Sequence, residues 1–565
     1  MFGVVGTGNN SLIAERVLEY LRGSEYHLHS SHLDANCFIV TFGNSNIQVS
    51  DLVQRECELF FQSGEIIIPA LSVLEKQTPD FQKTVEADGC FIAGVLDEKA
   101  ETLQLCTDPF GLHPLYYAVN NQKFLFSSSV DALIRFGELS LSLDPVGISQ
   151  FLHFHYYLGE HTFCNEVKRF PQGKLLNYSL RKNDLHWTTY YHWKVDQDIN
   201  NSAQAVQLLK SRFLESSSER VVDDENLICL LSGGFDSRLI VANLLELGMS
   251  FPTHTTYSDN GCLKDPVGAK LVAAELGVSN QYHELSDKYL ETYWRDKSKR
   301  INFETTMHTW LMPISEQLPH GALNLDGLGG DTLVKLPNNL HVDSLDLIEQ
   351  KNWSEIKNRM FEWCAPPGEG IGRIINKNYR EEWANGLWNS YESEFDNIEY
   401  GPNAPSIFIL KNRTRRGIAC SPTLLLTNNG MRNSMPFMDQ KFVDIALRIN
   451  NRLRFGGEIY QRLLADVAPS LANVPTSHDI NWPSEHEIGP VVRFWISSVE
   501  PLRSYLDAID NAPLFFKSYL NLDWYEMASI AMDEGPKERG LFIREAQALG
   551  EMCNAISEYE IYFTQ

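Results

Sequence analysis

The residues best suited to chemistry form the loop SGGFDS at 232–237, which follows the apolar run LICLL at 227–231 and precedes an amphipathic helical pattern. Its two glycines let the backbone approach an oxyanion without an intervening Cβ, and the free amides at a helix start carry partial positive charge. Asp236 would repel a phosphate, so a divalent cation between the two is the natural interpretation. The residues predicted to hold a phosphate-bearing cofactor are Leu231, Ser232, Gly233, Gly234 and Ser237, together with Asp236, which would act through the cation. A plain turn with Asp and Ser as helix caps is the alternative.

A second glycine-rich loop, NLDGLGGDT at 324–332, follows a later apolar run. In a parallel sheet both loops would lie at the carboxyl edge, where ligands bind, so Asp236 and Asp331 are predicted to share a magnesium ion. The residues assigned to the site here are Gly327, Gly329, Gly330 and Asp331. Between the loops, THTTY at 253–257 reads as a strand whose end, at Thr255 and Thr256, could meet an adenine edge. Taken alone, the second loop would more often be a plain turn, but its pairing with the first loop at matching strand ends favours a binding site.

The segments that position these loops divide the chain near residue 200. From the start to about residue 195, short strand signals dominate and predict a layered, β-rich α+β domain with a few helices. Clear examples are CFIVTF at 37–42, EIIIPAL at 65–71, CFIAGVL at 90–96 and LLNYSL at 175–180. The polar stretch at 195–202 then breaks the pattern. We expect one domain over 1–195 and a second over 203–565.

In the second domain, buried strand-like runs alternate with helical periods, which predicts an α/β fold with a doubly wound parallel sheet. The strand-like runs lie at 227–231, 253–257 and 322–325. From about residue 340 onward, helical periods predict a carboxyl-terminal helical lobe. His254 and His283 are expected to be structural, and Asp265, which precedes a proline, is expected to cap a helix.

The composition of the chain limits the classes of partner that the protein is expected to bind. The chain has 48 Lys and Arg against 73 Asp and Glu, and a net charge of −25 disfavours nucleic acid and anionic lipid. We find neither an apolar run long enough to span a bilayer nor a signal peptide, so a soluble, cytoplasmic protein is expected. The ten cysteines form no CxxC pair and no zinc pattern, which predicts reduced and mostly buried thiols.

The loop SGGFDS resembles the pyrophosphate-binding loop of the ATP-pyrophosphatase group, and nearly the whole chain resembles asparagine synthetase and its relatives, including β-lactam synthetase and lasso peptide cyclase. In the first half, DG at 88–89, DPFGLHPLYY at 108–117 and FSS at 126–128 resemble the class II glutamine amidotransferase domain. In the second half, NR at 412–413, PFMD at 436–439 and YQRLL at 460–464 resemble the synthetase lobe. The resemblance implies an Ntn-type first domain and an adenine nucleotide α-hydrolase-like second domain.

Two positions depart from that family. Its glutaminase uses a cysteine at the chain terminus as nucleophile, whereas position 2 here is Phe2, and the next cysteine is Cys37. We therefore expect no ammonia release from glutamine and interpret the first domain as a scaffold, with Phe2 packed in the first strand. Asparagine synthetase also carries a glutamate between the distal glycines, where this chain has Leu328, which disfavours aspartate as the substrate.

The chemistry implied by the resemblance has two steps that depend on ATP and Mg²⁺. A substrate carboxylate attacks the α-phosphorus to give an acyl-adenylate, and an amine then displaces AMP. Asp236 and Asp331 are assigned catalytic roles through the metal. Arg462 lies near the position of a catalytic lysine in relatives, although a solvated helix arginine is an equal interpretation. Glu304 and Arg238 are weaker assignments for the second step.

Three functions follow from these observations. The first is an amide synthetase that joins a carboxylate to an amine other than glutamine-derived ammonia, including macrolactam, lasso peptide or β-lactam cyclisation. The second is amidation of a sugar acid or small metabolite by free ammonia. The third is a non-catalytic scaffold. The expected partners are a carboxylate substrate and an amine acceptor, which could be a small molecule or a peptide, together with a pathway protein in some settings.

Overall fold

The computed structural model describes residues 1–6, 10–23, 27–33, 37–43, 50–55, 58–67, 81–120, 123–221, 226–256, 264–286, 288–336, 342–365, 371–476, 500–533 and 536–564. In this part of the chain, no helix combines the length and the apolar character that crossing a membrane requires. Eight of the cysteines are described and all eight are buried, as predicted, whereas Cys57 and Cys262 lie outside the described residues.

Two antiparallel sheets build the first part of the chain. The first sheet contains β1 Phe2–Gly6, β2 His27–Leu33, β3 Cys37–Gly43, β8 Tyr116–Asn120, β9 Lys123–Ser127 and β10 Lys168–Arg169. The second contains β4 Ser50–Arg55, β5 Glu58–Ile67, β6 Asp88–Asp97, β7 Thr102–Thr107, β11 Lys174–Ser179 and β12 Asp184–Thr189. Their strand orders are β10-β8-β9-β1-β3-β2 and β12-β11-β7-β6-β5-β4. All four predicted strands fall in these sheets, although EIIIPAL beyond Ile67 lies outside the described residues.

The two sheets face each other across a buried apolar layer. Phe61 on β5 stacks on Phe126 on β9 with ring centroids 5.3 Å apart, and Ile39 and Leu105 are fully buried in the same cluster. Such alternation of buried side chains on facing strands holds two sheets together. The connecting helices are α1 Asn10–Gly23, α2 Phe81–Val85, α3 Val130–Phe136 and α4 Pro145–Phe154. The predicted layered α+β architecture of the first half is confirmed.

The second half is built on a parallel five-stranded sheet. Its strands are β13 Leu227–Leu230, β14 Thr253–Thr255, β15 Asn280–Tyr282, β16 Leu323–Leu325 and β17 Arg432–Ser434, in the order β15-β14-β13-β16-β17. The helices of this region are α5 Ser202–Arg220, α6 Phe235–Glu246, α7 Lys264–Leu276, α8 Tyr289–Arg300, α9 Leu311–Ser315 and α10 Gly330–Val334. The chain moves from β13 toward β15, then returns to the other side of β13 with β16. This reversal places the topological switch point, where such folds bind ligands, between β13 and β16.

A helical lobe completes the chain, as predicted. Its helices are α11 Val342–Glu349, α12 Trp353–Cys364, α13 Ile371–Ile374, α14 Lys377–Asp396, α15 Ala404–Ile409, α16 Cys420–Asn428, α17 Gln440–Arg448, α18 Asn451–Arg454 and α19 Glu458–Val467, followed by Glu500–Asp510, Leu514–Lys517, Leu522–Asp533 and Pro536–Glu558. Short 3₁₀ turns occupy Pro436–Met438, Phe455–Gly457, Pro469–Asn473 and Glu560–Tyr562. A π-helix, Leu410–Ala419, joins α15 to α16.

Buried polar contacts join the antiparallel sheets to the second half. The Glu304 carboxylate accepts hydrogen bonds from Arg416 Nε at 2.7 Å and from the Tyr116 hydroxyl at 2.5 Å. Arg415 donates to the backbone carbonyl of Phe170. Burial alone would raise the pKa of Glu304, but the neighbouring guanidinium groups outweigh it and hold that pKa below its usual range. The π-helix is therefore anchored in the amino-terminal sheets.

Candidate functional site

The two glycine-rich loops meet at the switch point of the parallel sheet. Strands β13 and β16 are hydrogen-bonded neighbours, with Ile228 opposite Asn324, so the loops that follow them emerge side by side. The Asp331 amide donates to Asp236 Oδ2 over 3.3 Å. The sequence analysis predicted that Asp236 and Asp331 would lie close together, and the structure places them in contact.

The glycines of the second loop are required by this contact. A Cβ on Gly330 would lie 2.9 Å from Cγ of Asp236, and a Cβ on Gly327 would lie 2.7 Å from Cβ of Asp236. Both separations are shorter than side chains tolerate. Gly329 has φ +92, a conformation that favours glycine. The composition of this loop therefore follows from its close approach to the first loop.

The first loop is held by its own side chains. Ser237 Oγ accepts a hydrogen bond from the Ser232 amide at 3.0 Å, and Ser232 Oγ accepts one from the Gly234 amide at 3.2 Å. The N-cap of α6 is Gly234, with no side-chain capping bond. Asp236 and Ser237 are therefore not the caps that the plain-turn interpretation required, and the start of α6 is left available to an anion.

A cavity of about 400 Å³ opens on these loops. Residues from the phosphate loops and the ends of β13, β14 and β16 form one part of its lining: Leu230, Leu231, Ser232, Asp236, Ser237, His254, Thr256, Asp265, Asp326, Gly327, Leu328, Gly329, Asp331 and Thr332. The segment before and within α9, the π-helix and α16 form the other part: His308, Trp310, Leu311, Ile314, Arg413, Thr414, Ile418 and Pro422. Side chains do not fill the space beside Asp236 and Asp331.

The carboxylates crowd one side of the cavity. Burial, followed by the nearby charge of Asp331, raises the pKa of Asp236 well above its ordinary value. Burial also raises the pKa of Asp326. The Tyr460 hydroxyl donates to Asp236 Oδ1 and partly offsets the effect on Asp236. Such crowding of like charges is costly unless a proton or a cation balances it.

Asp236 and Asp331 fit the ligand set that magnesium prefers. Mg²⁺ is commonly held by one or two carboxylates, with waters and substrate phosphates completing the coordination. Within the described residues, no group of three or more His, Cys, Asp or Glu side chains is arranged to hold a metal unaided. These two carboxylates would therefore hold the ion jointly with a phosphate-bearing ligand.

Arg413 supplies the positive charge in the lining. It projects from the π-helix, and within the described part of the chain it takes part in no ion pair or hydrogen bond. His308 lies near it. Burial, followed by the charges of Lys297 and Arg413, lowers the pKa of His308 to about 4, so the imidazole is neutral at pH 7.

The other predicted site residues lie in several places. Thr256 lines the cavity and its hydroxyl donates to the His283 carbonyl. Thr255 is buried behind it and donates to the Leu231 carbonyl at 2.7 Å. Gly233 packs on α7, where a Cβ on Gly268 would lie 2.5 Å from its Cα.

Arg462 does not reach the cavity. It lies on α19 with its side chain 53% exposed, ion-paired to Glu458 at 2.6 Å and bonded to Ser202. The same helix directs Tyr460 to Asp236. The geometry thus corresponds to the solvated-arginine interpretation of Arg462, and Tyr460 is the residue of this helix that meets the site.

The two weaker assignments also lie outside the lining. Glu304 is buried against Arg416 at the junction of the two halves. Arg238 is buried beneath the first loop and donates to the carbonyls of Gly233 and Val474, each at 2.9 Å. Arg238 therefore stabilises the backbone of the first loop. Neither Arg238 nor Glu304 is placed to act on a substrate.

Sequence reasoning missed several lining residues. Asp265, which we expected to be a helix cap, lies in the first turn of α7 and lines the cavity. His308 and Trp310 come from a segment with no recognisable motif, whereas Arg413 belongs to NR at 412–413, which was noted for its resemblance but given no role. Asp326 stands at the end of β16, so its position at a strand terminus was a usable signal.

Phe2 occupies the core of the first sheet. Its side chain is fully buried and packs edge-on against Phe136 with ring centroids 6.0 Å apart. The buried phenyl ring provides no nucleophile at the start of β1.

The family comparisons match both halves of the chain. A glutamine amidotransferase domain family matches residues 70–191, and the asparagine synthase family matches residues 208–475. A glutamine-hydrolysing asparagine synthetase of Bacillus subtilis is 24% identical over 193 residues, which cover 34% of this chain and 30% of that protein. The Mus musculus enzyme is 26% identical over 264 residues, which cover 43% of each chain. The matched stretches therefore span less than half of these relatives.

Among solved structures, glutamine phosphoribosylpyrophosphate amidotransferase from B. subtilis is similar at 10% identity and a TM-score of 0.23, over 51% of this chain and 90% of its own. The two family matches follow the same order as the two architectures described above: the amidotransferase-domain match lies in the antiparallel sheets, and the asparagine synthase match covers the parallel sheet and part of the helical lobe, so the chain is similar to glutamine-hydrolysing asparagine synthetases over these stretches.

Proposed function

We propose that this protein uses ATP to adenylate a carboxylic acid and then joins the acyl group to an amine, releasing pyrophosphate and AMP. The observation that carries the proposal is the convergence of two glycine loops on Asp236 and Asp331, at the switch point of a parallel sheet and facing one cavity. The match of residues 208–475 to the asparagine synthase family supports it.

In the first step, a carboxylate oxygen attacks the α-phosphorus and the bond to the β-phosphate oxygen breaks. Pyrophosphate departs with that electron pair. The Ser232 and Ser237 hydroxyls and the uncapped start of α6 would receive the developing negative charge, since these groups are already oriented. Magnesium held by Asp236 and Asp331 would neutralise further charge on the departing group.

In the second step, the amine nitrogen attacks the acyl carbon, loses one proton and displaces AMP. The tetrahedral centre carries a negative oxygen. Of the lining side chains, Arg413 is the one whose positive charge can stabilise that oxygen. The buried Phe2 side chain carries no nucleophilic group, which supports an amine other than glutamine-derived ammonia. Intramolecular cyclisation to a macrolactam, lasso peptide or β-lactam is one form of this reaction.

The stoichiometry of the products tests the reaction class. With magnesium, ATP, a panel of carboxylic acids and a panel of amines, we expect AMP and pyrophosphate in equal amounts, measured by ion-exchange chromatography. Formation should require both a carboxylate and an amine, on two molecules or on one, and glutamine should not yield glutamate. Release of ADP and phosphate instead would contradict the proposal. Ammonium as the sole productive amine would favour amidation by free ammonia.

The raised pKa of Asp236 predicts a pH-dependent affinity for magnesium. The protonated form is favoured in the folded protein, so its stabilising contribution is lost as pH rises through the raised pKa. Magnesium must displace this proton, so its affinity should increase by up to about tenfold per pH unit below that pKa. Calorimetric titration at about pH 6 and about pH 8 measures the effect. An affinity that is equal at both pH values would contradict the assignment.

A further inference from the structure

The cavity lining has two chemically different parts. The phosphate loops and strand ends contribute four carboxylates, Asp236, Asp265, Asp326 and Asp331. The part that comes from residues 308–314, the π-helix and α16 is instead largely apolar and holds one charged group, the guanidinium of Arg413. We call this second part the acyl wall and define it by His308, Trp310, Leu311, Ile314, Arg413 and Ile418.

The charge of Arg413 has no partner in the described protein. The guanidinium groups beside it along the π-helix are all engaged, since Arg415 binds the Phe170 carbonyl and Arg416 binds Glu304. His308, being neutral at pH 7, adds no second cation. A cation that faces a cavity beside apolar side chains is suited to one anionic group on an otherwise apolar ligand.

The backbone that carries His308 is strained and firmly held. His308 has φ 67, and Asn302 and Phe303 each have φ 58, a region that side-chain-bearing residues rarely adopt. The Asn302 amide group donates to the Ser128 carbonyl at 3.1 Å and accepts from the Val130 amide at 2.8 Å. Contacts with the amino-terminal half therefore hold Asn302 in its strained conformation, and His308 follows in the same segment. Backbone strain of this kind is often found where a side chain contacts a ligand.

The Nδ1 atom of His308 is a second polar group of the acyl wall that a ligand can contact. It is buried and has no hydrogen-bond partner among the described residues. The His308 ring meets Trp310 at 83° with centroids 6.2 Å apart, so the two rings form adjoining surfaces. The acyl wall thus combines the aromatic surface of His308 and Trp310 with two polar groups that a ligand can contact, the charged Arg413 guanidinium and the neutral His308 Nδ1.

We propose that the acyl wall binds the acyl donor, and that this donor is a carboxylic acid with an apolar or aromatic body and a single carboxylate. The inference rests on the proposed function above. Arg413 receives the carboxylate, while Trp310, Leu311, Ile314 and Ile418 contact the body. An amino dicarboxylate such as aspartate would bring a second carboxylate and an ammonium group for which the acyl wall has no complementary charge.

Binding can be measured without turnover. Calorimetry in the presence of magnesium and α,β-methylene-ATP, which cannot release pyrophosphate, compares 3-phenylpropionate, succinate, L-aspartate and the uncharged 3-phenylpropionamide. We expect 3-phenylpropionate to bind at least about tenfold more tightly than succinate or L-aspartate. The amide should bind at least about tenfold more weakly than its acid.

Two variants separate the charge from the apolar contact. Arg413→Gln should weaken 3-phenylpropionate by about 10- to 100-fold and leave the amide unchanged. Trp310→Ala should weaken both by a similar factor. Arg359→Gln, at a surface arginine paired with Glu355 on α12, is the matched control and should behave as the wild type. Unchanged affinity for α,β-methylene-ATP and unchanged melting temperature show that each variant is folded.

The outcomes distinguish the two proposals. Normal nucleotide binding with tighter binding of succinate or L-aspartate would overturn the acyl-wall assignment and leave the adenylation proposal intact. Equal loss of acid and amide in Arg413→Gln would also overturn it. Failure to bind the nucleotide would overturn the proposed function, and the carboxylate titrations repeated without nucleotide would then decide the acyl-wall assignment independently.

Discussion

Replacing Asp236 by asparagine is expected to lower the rate of pyrophosphate release by at least about 100-fold. The change keeps the size of the side chain and its contact with Tyr460 but removes a charge that the metal and the departing diphosphate require. Pyrophosphate release measured with a coupled phosphatase assay gives the rate. Asp331→Asn should show a loss of similar size, because the two carboxylates share the ion.

The same Asp236→Asn variant should be as stable as the wild type without magnesium, or more stable at alkaline pH. Its amide cannot ionise, so the penalty that a buried carboxylate incurs as pH rises is absent. Melting temperatures with and without magnesium test this, and magnesium should stabilise only the wild type. Asp346→Asn, at an exposed carboxylate paired with Arg452, is the matched control and should keep full activity. Full turnover by Asp236→Asn would refute the metal assignment.

Removing the carboxylate of Glu304 is expected to destabilise the protein by about 3–5 kcal/mol. Glu304 is 1% exposed and the Arg416 side chain is fully buried, so Glu304→Ala leaves an uncompensated buried charge, with Arg169 3.7 Å from the lost carboxylate. Urea unfolding followed by tryptophan fluorescence measures the change. The double variant Glu304→Met with Arg416→Met should recover much of the loss, since neither charge then remains.

An exposed ion pair that also joins the two halves provides the comparison. Asp198 and Arg448 are 2.6 Å apart, with side chains 60% and 43% exposed. Asp198→Ala should leave the urea midpoint nearly unchanged, because solvent screens an exposed ion pair. If Glu304→Ala proved as mild as Asp198→Ala, the buried network would not be what holds the halves together.

The contact between the two loops was predictable because it depends on a general property of parallel sheets. Strand ends that share an edge bring their loops together, so two glycine-bearing acidic loops after two apolar runs suffice to place Asp236 beside Asp331. Strand β17 was not predicted. Its three residues, Arg432–Ser434, are too short and too polar to register as a strand, and only pairing with β16 defines them.

The arginine that lines the cavity was harder to predict. On α19, Ile459, Tyr460, Leu463 and Leu464 are buried, so helical periodicity alone places Arg462 on the exposed face. This periodicity was visible in the sequence, but Arg462 was assigned a catalytic role because of the family resemblance. Arg413 lies in NR at 412–413, which resembles the synthetase lobe, but the direction of its side chain depends on the π-helix. The sequence LKNRTRRGIA has no pattern that distinguishes such a helix from an ordinary one.

The ten-residue π-helix also constrains how the chain can change in length. Its wider turn presents Arg413 to the cavity. Arg415 and Arg416, two and three positions later, donate hydrogen bonds to the Phe170 carbonyl and to the Glu304 carboxylate. Inserting or deleting one residue within Leu410–Ala419 would rotate the residues on one side of the change relative to those on the other, so Arg413 could not face the cavity while Arg415 and Arg416 keep both of their contacts. Homologous proteins should therefore keep the residue count of this segment constant.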